Sequence, residues 1–248
     1  MSAPTTASGR TLALLHHVAS GGTTTNLSEL SRLTGVNRVT AMRLLEDLET
    51  EGALEKVGDG HRIALEFLKL AGLALRSADL TDLGRRSLQA LSRQLQLTAY
   101  LVVLDGGDAL YLMRSVPATP LVSNVAVGSR IPAHLVTPGR ALLLGLDEAA
   151  LVSLLGPDPL RRATEESPGT HRELRHTLDR DAAAGAAWSA GGYEPGVDAC
   201  AAPVRDGEGR AIAALSVAGP TAAVRERRPA VQEAVTREAV ALSTMLAD

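Results

Sequence analysis

Apolar residues recur at helical spacing in three short runs at the start of the chain, and the breaks between them are as informative as the runs. Leu12, Leu15 and Val18 predict a first helix over Thr11–Val18 with one face toward a core. The Ser/Gly/Thr stretch Ser20–Thr25 ends it, and Asn26 followed by Glu29 has the spacing of a capping box opening a second helix. Leu27, Leu30 and Leu33 form its stripe. After Gly35, which relieves a tight turn, a third helix is predicted over Asn37–Thr50, with Ala41, Leu44, Leu45 and Leu48 on the buried side at about 100° per residue. Val39 and Arg43 fall on the opposite side, flanked by Arg38, Thr40 and Met42.

Beyond Gly52 the period changes from helical to alternating. Two short runs around Gly58-Asp59-Gly60 predict a β-hairpin, and a helix-turn-helix followed by a hairpin is a winged helix. Leu65, Leu68, Ala71 and Leu75 suggest a linker helix over Leu65–Ser77, broken at Asp79–Asp82. A further amphipathic helix from about Asp82 to Leu95 is expected to bury Leu83, Leu88, Leu91 and Leu95. The texture then shifts to strands: "TAYLVVLD" and "ALYLMRSV" around Gly106-Gly107, "LVSNVAV", and "DACAAPVRD" and "RAIAALSVAG" around Gly207–Gly209. Helical runs at "PGRALLLGL", "DEAALVSLL" and Thr170–Ala184, and a closing helix over Val224–Leu246, accompany them. Strands joined by hairpins imply an antiparallel sheet, so the whole reads as α+β, with a winged helix-turn-helix over residues 1–64, a linker helix and dimer contact over 65–80, and a second domain over 81–248.

Composition narrows the chemistry. At 248 residues with 45% hydrophobic and only 2% aromatic content, the core must be built from Leu, Val, Ala and Ile. One cysteine, Cys200, leaves no disulfide framework and no multi-cysteine zinc site, and its small apolar surroundings suit an inert packed thiol. His134 has no His, Cys or carboxylate at ligand spacing, so a structural role is expected and no metal or cofactor is implied. No run of about 18 apolar residues can span a bilayer, which points to the cytoplasm and no membrane partner.

Charge first argues against nucleic acid, since net charge is −3 and residues through Ala74 hold seven basic against eight acidic groups. The distribution reverses that argument. Arg32, Arg38 and Arg43 are uninterrupted by acid, whereas Glu46, Asp47, Glu49 and Glu51 crowd the far end of the third helix. A helix entering a groove touches bases only with its first turns, so Asn37, Arg38, Val39, Thr40 and Arg43 are the candidate DNA contacts. Lys56, His61 and Arg62 can add phosphate contacts from the wing, although Arg62 can equally buttress the hairpin.

The order of "VGSRIPAH" (127–134), "PGRALL" (138–143), "GVDACAAPV" (196–204) and "ALSVAGP" (214–220) behind such a winged helix resembles the IclR family of bacterial transcription regulators, across about Thr11–Leu246. The resemblance implies no enzymatic activity, a GAF-like effector-binding second domain, and self-association as a homodimer or homotetramer on palindromic double-stranded operator DNA. It also implies an effector pocket at Thr137, Pro138, Ser189, Asp198, Ala199 and Ser216 for a small anionic metabolite, with helix-start amides near Thr137 and Pro138 favouring a carboxylate. Ser189 and Ser216 read equally well as ordinary turn and strand serines. Two departures stand out: Val39 sits where the family's helix usually carries a hydroxyl, and Gly192 where an acid usually precedes the aromatic-Glu-Pro-Gly stretch, here Tyr193–Gly196. The rival reading is a metabolite-binding protein or enzyme whose first helices serve only assembly.

Overall fold

The computed structural model describes residues 4–67, 69–70, 79–117, 125–189 and 193–247, which fall into two compact units, 1–78 and 79–248. In the first, α1 (Ala7–Ala19), α2 (Leu27–Thr34) and α3 (Arg38–Thr50) precede a hairpin of β1 (Leu54–Val57) and β2 (Gly60–Ile63). Each helix opens on a side-chain cap. The Thr6 hydroxyl accepts from Gly9, Asn26 Oδ1 from Ser28 and Glu29, and Asn37 Oδ1 from Thr40, each such cap worth about 1 kcal/mol. Thr6 is why α1 begins earlier than its leucines indicate. At Asn26 the observed bonds make only the forward half of the expected box, and the Glu29 carboxylate lies 3.9 Å from Arg32.

The core of this unit is Leu14, Leu15, Val18, Leu30, Val36, Ala41, Leu45, Leu48 and Leu54. Two expected core positions are corrected: Leu12 and Leu33 are more than half exposed, at 55% and 53%. Steps of three residues fall short of a full turn, so an i, i+3, i+6 stripe winds roughly 120° around its helix and cannot stay on one buried face. Gly35 adopts a left-handed φ of 70° at the end of α2, a conformation that suits glycine and lets the chain turn into α3. Residues 65–67 and 69–70 are helical, and the rest of the expected linker helix lies outside the described residues.

The second unit is layered around a six-stranded, wholly antiparallel sheet in the order β5-β4-β3-β8-β7-β6. Its strands are β3 (Thr98–Asp105), β4 (Asp108–Ser115), β5 (Arg130–Pro132), β6 (Ala187–Trp188), β7 (Val197–Arg205) and β8 (Ala211–Pro220). Its helices are α4 (Asp79–Leu95), α5 (Thr137–Leu143), α6 (Glu148–Leu155), α7 (His171–Ala184), α8 (Thr221–Glu226) and α9 (Arg228–Ala247). Alternation divides each strand between two cores. Leu101, Leu215, Val217 and Cys200 face Leu88, Leu91 and Leu95 of α4 and Val231, Val235 and Leu242 of α9. Tyr100, Val102, Ala201, Ala214 and Ala218 face the other way, toward Val136, Ala141 and Leu142 around α5.

The antiparallel α+β reading holds, with local corrections. Asp79–Asp82, expected to break a helix, already belong to α4. Of "LVSNVAV", residues 125–127 form no strand and 121–124 lie outside the described residues; the strand that pairs with β4 is Arg130–Pro132. The closing helix is two helices, divided at Arg227. Close packing requires glycine beside the cleft: a Cβ on Gly139 would sit 2.2 Å from the Ala133 carbonyl oxygen, so α5 can press against residues 133–135 only with glycine there.

Candidate nucleic-acid interface and ligand cleft

The first turns of α3 present chemistry outward. Ala41, Leu45 and Leu48 anchor the helix, which leaves Val39 75% exposed, with Arg38, Met42 and Arg43 also exposed and Thr40 half-buried. Among the described residues, Arg38 and Arg43 have no ion-pair partner, so both guanidinium forks stay available to a phosphate or a guanine edge. Asn37 is more committed, because its side-chain oxygen caps the helix.

On the wing the candidates separate. Lys56 is exposed with no ion-pair partner among the described residues. The Arg62 Nε donates to Glu55 Oε1 at 2.6 Å across the register pair of the hairpin, and that contact holds its guanidinium charge above the usual range. His61 is turned inward, its Nδ1 2.9 Å from the Thr24 hydroxyl and its Nε2 3.7 Å from the Glu49 carboxylate. His61 is therefore corrected as a phosphate contact, because it ties β2 to the loop before α2 and to α3, whereas Arg62 takes the buttressing side of its two readings through Nε while its side chain stays exposed.

In the second unit a cleft opens between the sheet face carrying Tyr100 and the start of α5. Thr137, Pro138, Ser189, Ala199 and Ser216 all line it. Asp198 does not. Strand alternation turns it to the far face, where its buried carboxylate accepts from Thr221 Oγ1 at 3.1 Å and Arg225 Nε at 2.7 Å, pinning α8 to β7. The helix start is a poorer anion site than its sequence suggests: α5 has only seven residues, Pro138 contributes no N–H, and the Arg140 amide is bound to the Val136 carbonyl.

Sequence reasoning missed the aromatic wall. All three tyrosines of the chain, Tyr100, Tyr111 and Tyr193, line this cleft. Tyr100 and Tyr111 meet edge to face at 5.3 Å, and Tyr100 lies opposite Ser216 in the β3–β8 register. The available signal was rarity: a chain with 2% aromatic residues places most of them around two concave spaces. Burial, then the neighbouring Tyr100, pushes the Tyr111 phenol well above its ordinary range, so it stays a neutral donor. The Thr137 hydroxyl is buried and, among the described residues, has no hydrogen-bond partner, an uncompensated polar group aimed at the cleft. Glu194 is the one charged side chain on the described wall. The open space is about 40 Å³, room for water and nothing larger unless the walls part. Gly192 lies outside the described residues.

Neither His134 nor Cys200 offers reactive chemistry. His134 Nε2 is 2.8 Å from the Arg161 carbonyl, and burial holds its pKa below the ordinary histidine value. Burial pushes the Cys200 thiol up to about 12. Among the described residues no three His, Cys, Asp or Glu side chains are placed to hold a metal, and no helix is long and apolar enough to cross a membrane.

A winged helix with a bare cationic helix tip, joined in one chain to a sheet domain with a walled cleft, defines a DNA-binding regulator of transcription. Residues 72–244 match the bacterial transcriptional regulator IclR C-terminal domain and residues 9–58 the IclR helix-turn-helix domain, so the chain belongs to the IclR family, whose members are regulators and not enzymes. It is 32% identical over 200 residues to the Pca operon regulatory protein of Acinetobacter baylyi, covering 79% of this chain and 72% of that one. It is 26% identical to the transcriptional regulator XynR of Escherichia coli, over 96% and 95% of the two chains. In fold it resembles an IclR homologue of Microbacterium hydrocarbonoxydans, crystallised with 4-hydroxybenzoate, at a TM-score of 0.82 and 24% identity over 96% and 98% of the two chains.

Proposed function

We propose that this regulator self-associates, as a dimer or dimer of dimers, to place two α3 tips on a two-fold-symmetric operator, and that a small ligand in the tyrosine-lined cleft changes its grip. The carrying observation is the pair of uncompensated guanidinium groups, Arg38 and Arg43, on an exposed helix tip otherwise short of charge. One such tip neutralises few phosphates, and two-fold pairing doubles the contacts without adding basic residues. Exposed Val39 supplies apolar contact to a thymine methyl where relatives use a hydroxyl. A titration against the DNA upstream of its own reading frame, at low and then moderate salt, tests this. Saturable binding that weakens steeply with salt is expected, and salt-insensitive or absent binding rejects it. If a Val39→Ser variant ranks all operator variants as the parent does, the thymine contact is dropped.

For the effector, the cleft's composition favours a small planar hydroxy acid. Its ring would lie against Tyr100 and Tyr111, its carboxylate would take the unsatisfied Thr137 hydroxyl, and its hydroxyl would donate to Glu194, whose charge keeps the carboxylate at the other end. A protein of the same fold holds 4-hydroxybenzoate, which makes that compound the natural first probe. Thermal unfolding with 4-hydroxybenzoate, with benzoate and with the neutral methyl ester should show the largest rise for the first; equal behaviour of the acid and the ester removes the anionic assignment.

A further inference from the structure

A second concave space, of about 300 Å³, lies on the other side of α5 from the tyrosine-lined cleft, bounded by α7, β6 and the start of α9. It is larger than the first and different in kind. Three guanidinium groups line it: Arg140, Arg180 and Arg228. Against them stand Asp181, already neutralised by the Nε of buried Arg140 at 2.9 Å, and exposed Glu166. Arg180 and Arg228 have no ion-pair partner among the described residues. The space therefore carries a net excess of positive charge that the protein does not itself cancel.

Its floor is rigid. The Arg228 guanidinium stacks 4.3 Å from the centroid of the Trp188 ring. The indole Nε1 donates to Gln232 Oε1 at 2.9 Å, and the Gln232 side chain donates on to the Ala184 carbonyl. The Trp188 backbone is held at both ends, its N–H by Asp181 Oδ1 at 3.2 Å and its carbonyl by Arg140 Nη2 at 2.5 Å. A fixed ring with cations gathered over a polar hollow is a pre-organised seat for a small oxyanion.

We propose that this hollow is a second ligand site, for a small metabolite bearing a carboxylate or phosphate, held by Arg180 and Arg228 over Trp188. The binding claim is independent of the effector reading given above. Only its regulatory consequence rests on that reading: α5 carries Thr137 and Pro138 to one space and Arg140 to the other, and Ser189 lines both, so occupancy of either must reach the other's wall.

Trp188 is the only tryptophan in the chain and lines this space, so its emission reports occupancy here directly. The full-length protein is titrated with inorganic phosphate and, separately, with succinate, against sodium chloride at matched ionic strength. A saturable change in emission with either oxyanion, absent with chloride, is expected. Arg180→Gln should weaken it roughly tenfold or more, the scale of one charged hydrogen bond, whereas Thr137→Val in the other cleft should leave the midpoint unchanged. Should Arg180→Gln fail to fold, as read by circular dichroism, Arg228→Gln with binding followed by calorimetry makes the same test. No saturable signal, a response shared by chloride, or one indifferent to both arginine changes overturns the proposal. Failure of 4-hydroxybenzoate to stabilise the protein would leave it standing.

Discussion

The two units use charge in opposite ways. In the first, the arginines proposed to meet DNA are exposed and unpaired near the start of one helix, above a small core of leucine, valine and alanine. In the second, several polar groups are taken into the interior and satisfied by residues far away in the chain: Arg140 by Asp181 on α7 and by the carbonyl of Trp188, Asp198 by Arg225 on α8, Ser216 by the carbonyl of Cys200. A surface that must exchange one polyanion for water benefits from cations that are left free. A cleft framed by several elements depends on those elements being fastened to one another around it. The lesson is that the proposed DNA surface is a property of a segment, and the cleft a property of an assembly of segments.

The sharpest way to break this contrast is at the buried pair. Asp181→Ala leaves Arg140 charged and unmatched in the interior, and denaturant unfolding should show a loss of about 3–5 kcal/mol. A loss under about 1 kcal/mol would mean that water reaches the pair and the fastening is weaker than its geometry. Next in size, Arg43→Ala should lower operator affinity by ten- to a hundredfold with thermal stability essentially unchanged, since an exposed unpaired cation contributes little to folding. If stability falls with affinity, the residue belongs to the fold after all. On the wing, Lys56→Ala should weaken DNA binding modestly and flatten its salt dependence, whereas His61→Ala should act on stability by freeing the buried Thr24 hydroxyl. Asn37→Ala is expected to cost about 1 kcal/mol from the lost cap, read by thermal unfolding of the whole chain.

The most gradual effect is that of pH. Burial holds the His134 pKa below its ordinary 6.5, so the unfolded chain takes up a proton that the folded one resists. Stability from this group is complete above about pH 6.5 and declines as pH falls below it, down to the lowered folded value. His134→Gln should flatten that acid limb in unfolding curves collected from pH 7.5 downward; an unchanged limb assigns the sensitivity elsewhere.

Much of this could be read from residue order. The capped helices, the two-residue hairpin turn, the hairpins of the larger sheet and the polarity of α3 all follow from rules acting within about ten residues: side-chain caps on orphan amides, the 3.6 and 2.0 periods, glycine at a left-handed turn. They belong to the chain before it folds. What tertiary structure alone decided is partnership. Which face of β7 looks into the cleft separates Ala199 from its neighbour Asp198. Whether a cation is free separates Lys56 from Arg62. Three tyrosines scattered over almost a hundred positions become one wall only when β3, β4 and the residues before β7 are brought together. The physical reason is range: periodicity records that a side chain is apolar and which way it points relative to its own element. Burial, desolvation and hydrogen-bond satisfaction depend on atoms contributed by other elements, and those meet only after the sheet has closed.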